Sequence, residues 1–163
     1  MKKIYPFVML AVGAFFGVAA RLLDIYTQNL GIIFSEMSIW ILICVWITLK
    51  ANSRAAACVH VFMFCTGMLV AYYITAELTH GYYYMQFITG WSVFTLLTPL
   101  MACVIFCVKN KGISAKIISV ITIAVTLLLA KIVFNGPRIY DWIIVIVLAY
   151  TMLIKPQKEE NLQ

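Results

Sequence analysis

The fold class this sequence predicts is an all-α, polytopic membrane protein, a bundle of six transmembrane helices with the N-terminus and C-terminus cytoplasmic. Three observations predict it. The 163-residue chain is 64% hydrophobic and only 11% charged, far more apolar than a soluble domain of its size. Its 12 basic and 6 acidic residues gather in short gaps between six apolar stretches, and residues 87–108 run for 22 positions without a charge. A hydrocarbon core about 30 Å thick needs about 20 mainly apolar helical residues, and in lipid only helices or closed barrels satisfy their own backbone groups.

The apolar stretches place the spans at 4–23, 32–49, 55–76, 87–108, 113–134 and 137–154, one transmembrane domain over residues 1–154. In the first, Lys2 and Lys3 precede the apolar run, and Val18, Ala19 and Ala20 resemble a signal-peptidase site; retention as a first helix is the expectation. The second runs from Glu36 toward Lys50, and the third lies between Arg54 and Glu77. The fourth carries Thr89, Gly90, Ser92, Thr95, Thr98 and Pro99. Pro99 has no N–H to donate to the Thr95 carbonyl, so a kink is expected there. The fifth has 14 uncharged residues between Lys116 and Lys131, and the sixth has 13 after Asp141. These two span only if their charged groups snorkel or find partners. Residues 155–163, with Lys155, Pro156, Glu159 and Glu160, form a polar cytoplasmic tail expected to be disordered.

Charge placement sets the orientation. A net charge of +6 is compatible with nucleic-acid binding, but nine of the twelve basic residues (Lys2, Lys3, Lys50, Arg54, Lys109, Lys111, Lys116, Lys155, Lys158) fall on one side of the six spans and only Arg21, Lys131 and Arg138 on the other. That asymmetry is a topology signal, so no nucleic-acid partner is expected. Tyr72, Tyr73, Tyr82, Tyr83, Tyr84, Trp91, Tyr140 and Trp142 fall at outer ends and Tyr5 and Tyr150 at inner ones, where amphipathic rings favour the wet edge of a bilayer. The expected location is the bacterial cytoplasmic membrane. The expected partners are the lipid bilayer and either another membrane protein or a second copy.

The five cysteines, Cys44, Cys58, Cys65, Cys103 and Cys107, lie in helices toward their cytoplasmic halves, and no disulfide framework is indicated. Cys103 and Cys107 are one turn apart with no second ligand pair, so they read as packing residues rather than a metal site. His60 and His80 sit about 30 Å apart along one helix and cannot share a metal. A single haem ligand is conceivable for His60, and a hydrogen-bonded helix histidine is the simpler reading. No cofactor is expected. There is no G-x-S-x-G, H-E-x-x-H or phosphate-binding glycine loop, so an enzyme is not expected.

Gly13, Gly17, Arg21 and Asp24 are spaced by four, four and three, which puts them within about 80° of arc on one helix face. Two glycines a turn apart admit a second helix backbone, either within the bundle or from a partner, and Arg21 and Asp24 are placed to pair. The Gly13, Gly17, Arg21 spacing resembles the opening of the fluoride-channel family over under a tenth of the chain. That family is shorter, and neither its Asn-centred second helix nor its Phe- and Thr-rich pore signature follows. The larger pattern, G-x-x-x-G-x-x-x-R-x-x-D with six short spans and a basic tail, resembles small uncharacterised bacterial multi-pass families of unknown function. That resemblance implies no activity.

Depth along the helices suggests a candidate solute or ion site. Glu36 is 14 residues from Lys50, Asp141 is 14 from Lys155 and Lys131 is 15 from Lys116. Each is then about 21–23 Å above the inner boundary, within the outer leaflet. Arg21 sits slightly higher, with Asp24, Arg138, Glu77 and His80 nearer the outer water. A lone charge at that depth costs a few kcal/mol, so these groups are expected to pair inside the bundle or to line a water-filled vestibule. Arg21, Asp24, Glu36, Lys131 and Asp141 are therefore the candidate site. A small solute-binding or transport component is the first expectation, similar in size, span number and topology to the six-helix substrate-binding subunits of energy-coupling-factor transporters. A non-transporting interaction, immunity or assembly factor, binding through the Gly13/Gly17 face, is the second. An outward-opening polar cavity bounded by Glu36, Lys131 and Asp141 favours the first, and a solid apolar interior favours the second.

Overall fold

A computed structural model of the chain describes residues 5–27, 37–79, 85–110, 112–134 and 138–154. The described residues are helical throughout apart from short connections. The elements are α1 (Tyr5–Tyr26), α2 (Met37–Lys50), α3 (Arg54–Leu78), α4 (Met85–Phe106) with a 3-10 turn over Cys107–Asn110, α5 (Ile113–Phe134), and α6 (Ile139–Ala149) with a π-helical turn over Tyr150–Ile154. Helices α1, α3, α4 and α5 are long and apolar enough to cross a membrane, while α2 and α6 are shorter apolar helices. Glu36, His80, Tyr82, Tyr83, Tyr84, Lys111 and the 155–163 tail lie outside the described residues.

Local chemistry sets the helix ends. Ser53, in extended conformation, caps α3 by accepting the Ala56 N–H at 3.2 Å, and the Thr79 hydroxyl donates to the Thr75 carbonyl at the other end. Gly112 takes φ +117° between the 3-10 turn and α5, a left-handed conformation that L side chains rarely adopt. Inside α4, the Thr98 hydroxyl donates at 2.7 Å to the Thr95 carbonyl that Pro99 leaves without its usual N–H.

Helix α1 lies along α3 in the same direction: Tyr5 stacks near His60, Gly13 meets Phe64, Gly17 meets Met68, and Arg21 lies over Tyr72. The short link 51–53 sends α2 the opposite way. Lys109 donates to the Ala51 carbonyl at 2.7 Å, which brings the end of α4 to the end of α2. The beginnings of α2 and α6 meet where Ser38 contacts Asp141. The helices therefore alternate in direction, and the loops carrying Lys50, Arg54 and Lys109 share one end of the bundle.

The core has two halves, with α2 between them. Trp40, Cys44 and Ile47 of α2 pack with Ala57, Val61, Phe64, Cys65 and Met68 of α3 and Ala20 of α1. Ile41 and Val45, on another face of α2, pack with Phe94 and Ile105 of α4, Ala115 of α5 and Leu148 of α6. What turns inward elsewhere is small or hydroxylic: Ala57, Ala76, Ala102, Ala130, Thr98, Ser119 and Thr126 are buried. Leu96, Leu100, Ile117, Val120, Leu128, Ile143 and Ile146 are exposed. That inversion of the water-soluble pattern is expected where the surrounding solvent is itself apolar.

Candidate functional site

Two polar clusters form at the end of the bundle opposite the basic loops. On α1, the three-residue spacing of Arg21 and Asp24 puts them on neighbouring turns of one face, where the guanidinium donates to the carboxylate at 2.8 Å. Helix α1 runs on to Tyr26, so both charges are held on helical backbone. Arg21 is 9% exposed, with its guanidinium carbon 5.9 Å from the centre of the Tyr72 ring of α3, close enough for a cation–π contact. Its Nε has no hydrogen-bond partner among the described residues. Asp24 is more open, at 37%.

The second cluster joins α6 to α2. Asp141 is 1% exposed, and each carboxyl oxygen meets a donor. The Ser38 hydroxyl donates to Oδ1. The backbone N–H of Arg138 donates to Oδ2 at 2.9 Å, which uses the third residue of α6 to cap its own first turn. Ser38 is buried as well.

Of the residues singled out from the sequence, Arg21 and Asp24 come together, and Asp141 closes on Ser38 instead of on Lys131. Lys131 is exposed on α5. The buried stripe of that helix is Ala115, Ser119, Thr126 and Ala130, and the next residue points about 100° away from it. Glu36 lies outside the described residues.

Gly13 and Gly17 form a seam against α3. A Cβ at Gly13 would lie 2.0 Å from the Phe64 carbonyl oxygen, and one at Gly17 would lie 2.2 Å from that of Met68. Gly67 of α3 reciprocates, since a Cβ there would lie 2.2 Å from the Leu10 carbonyl oxygen. The face that could have received another protein is therefore covered by α3 of the same chain.

Reading the sequence missed Ser38, Gly67 and the role of Tyr72. Ser38 carries no local signal, being 103 residues from Asp141. Gly67 has no glycine one turn away on either side. For Tyr72 the sequence indicates only a place at the membrane edge. Among the described residues no three His, Cys, Asp or Glu side chains converge as a metal site. No family model, curated protein or solved structure matches the chain.

Proposed function

We propose that the chain is a multi-pass protein of the bacterial cytoplasmic membrane, with six spans and both termini in the cytoplasm. On this reading it acts by contact with another membrane protein, through a surface other than the covered Gly13/Gly17 face, as an interaction, immunity or assembly factor, and neither transports nor catalyses. The alternating helix directions and the shared end of the loops bearing Lys50, Arg54 and Lys109 support the topology. Helices α2 and α6 then cross by drawing on flanking residues, tilt or local thinning of the bilayer.

The observation that carries contact over transport is the closure of Asp141. A carboxyl group that serves a passing solute must be reachable, whereas Asp141 is 1% exposed and each of its oxygens already accepts from a donor of the same chain.

A solute-binding or transport component is the second reading, and one observation favours it. The Arg21 Nε is a buried donor with no acceptor among the described residues, and such a group suits an anionic or carbonyl-bearing solute. Purification from native membrane, followed by mass spectrometry of bound proteins and small molecules, separates the two. The contact reading expects a second membrane protein in near-stoichiometric amount, retained by Arg21→Met. A small acidic molecule held by the wild type, lost from Arg21→Met and unaccompanied by a partner protein, overturns it in favour of the second.

A further inference from the structure

We propose that Cys44 and Cys65 are an oxidisable dithiol whose disulfide staples α2 to α3 inside the bundle. The two sulfurs face each other across the helix interface at 3.5 Å, and both are buried in the half-core formed with α1. Cys58 and Cys107 are engaged elsewhere. Cys58 donates to the Pro99 carbonyl at 3.1 Å, and Cys107 donates to the Cys103 carbonyl at 3.6 Å.

Two chemistries are open to a buried pair of thiols, and the number of ligands decides between them. A structural divalent metal site calls for more ligands than two sulfurs, and among the described residues no group of three His, Cys, Asp or Glu side chains converges. A disulfide removes both protons and both electrons and leaves a neutral group, with the sulfurs drawn in to about 2.05 Å. The oxidant is hydrogen peroxide, small and uncharged. Cys44, the less buried residue of the two at 8% exposure against 1% for Cys65, takes the first oxygen on its sulfur. The O–O bond breaks, Cys44 becomes a sulfenic acid and one water leaves. The Cys65 sulfur then attacks that sulfur, the S–S bond forms, the S–O bond breaks and a second water leaves. Two thiols and one peroxide give one disulfide and two waters.

The sequence makes the test simple, because Arg21, Lys50, Arg54 and Lys109 bracket the two helices for trypsin. In a Cys58→Ser/Cys103→Ser/Cys107→Ser variant, peptide 22–50 holds only Cys44 and peptide 55–109 holds only Cys65. The folded protein is treated with peroxide in detergent, free thiols are alkylated in denaturant, and the digest is analysed with and without reductant. The expected result is peptide 22–50 recovered mostly linked to 55–109 and released by dithiothreitol. Adding Cys65→Ser to that background removes the link and leaves Cys44 as a sulfenic acid that dimedone traps; adding Cys44→Ser leaves Cys65 alkylated. Recovery of both peptides unlinked from folded, peroxide-treated protein overturns the proposal. Dimedone on Cys65 ahead of Cys44 overturns the stated order of attack. Wild-type protein digested in the same way also gives a 22–50 to 55–109 link, through Cys44 as the single cysteine of peptide 22–50, and the triple variant assigns its partner to Cys65.

Discussion

A single methyl group at position 13 tests how α1 is held. In Gly13→Ala the new Cβ would lie 2.0 Å from the Phe64 carbonyl oxygen, 2.8 Å from its carbon and 3.0 Å from its Cα. Ordinary contact begins at 3.4 Å. The helices must therefore part by about 1.4 Å, when a gap of 0.5–1 Å already forfeits about a quarter to a half of each contact it opens. The obstacle is backbone, so no rotamer change relieves it. Overpacking costs about 1–3 kcal/mol, and a backbone clash belongs at the upper end. About 1 kcal/mol of helix propensity gained on replacing glycine offsets part of that. The net loss is about 2 kcal/mol, or a fall of about 4–8 °C in Tm for a chain of this size. Melting in detergent, followed by tryptophan fluorescence, reads it. Gly90→Ala is the control, because nothing lies within 4 Å of that added Cβ, and its Tm holds or rises. Gly13→Ala/Gly17→Ala falls by less than the sum of the single changes, since a helix already lifted has room for the second methyl. A Gly13→Ala protein that melts at or above the wild type refutes the seam.

Three other outcomes follow from the same geometry. Asp141→Ala strands the Ser38 hydroxyl and the Arg138 N–H and costs about 2–3 kcal/mol, while Ser38→Ala costs about 1 kcal/mol; a double-mutant cycle by thermal melting shows their coupling, and independent effects would disprove the contact. Thr98→Ala removes the donor from the Thr95 carbonyl and lowers stability by about 1–2 kcal/mol, but not in a Pro99→Ala background, where the backbone N–H returns; an equal loss in both backgrounds contradicts this account of the hydroxyl. In a cysteine-free protein, Asn52→Cys labels with a membrane-impermeant maleimide only from the cytoplasmic side and Arg138→Cys only from outside; labelling of both from one side rules out the topology.

Helices were legible in the sequence because lipid demands long uncharged runs, and the Gly13/Gly17 face was legible because fourfold spacing on one helix is a local property. What each face meets was not. In a bilayer the outside of the bundle is as apolar as the inside, so hydrophobic periodicity cannot separate Leu100, which is exposed, from Leu148, which is buried. The usable signal was size and polarity, since Ala57, Ala76, Ala102, Ser119 and Thr126 are all buried. Depth was easier to count than direction. Lys131 and Asp141 were placed at one level by distance from the inner boundary, yet the 115–119–126–130 stripe leaves Lys131 on the outside while the first turn of α6 draws Asp141 in. Pairings such as Ser38 with Asp141 depend on which helices neighbour each other, and a single sequence does not encode that locally.

The short helix α2 shows why a bundle in lipid is held by different means on different sides. Its 14 described residues rise about 21 Å, less than the hydrocarbon thickness, but it contributes to both halves of the core. Apolar contact alone gives little preference for a neighbour over lipid, so specificity must come from groups that lipid cannot replace. At its beginning α2 has Ser38 on Asp141 of α6. At its end the Ala51 carbonyl receives Lys109, whose ammonium lies 4.9 Å from the centre of the Phe106 ring, a cation at the negative end of the helix dipole. Midway, Cys44 meets Cys65 of α3. Helix α1 is held instead against α3, by the close approach of its glycines and by Arg21 over the Tyr72 ring. The two halves can then respond separately: loss of the Gly13 seam loosens α1 from α3, while loss of Asp141 loosens α6 from α2. Combining Gly13→Ala with Asp141→Ala should therefore give additive losses in thermal stability within about 0.5 kcal/mol, and a strong coupling between them would show that α2 transmits strain from one half of the core to the other.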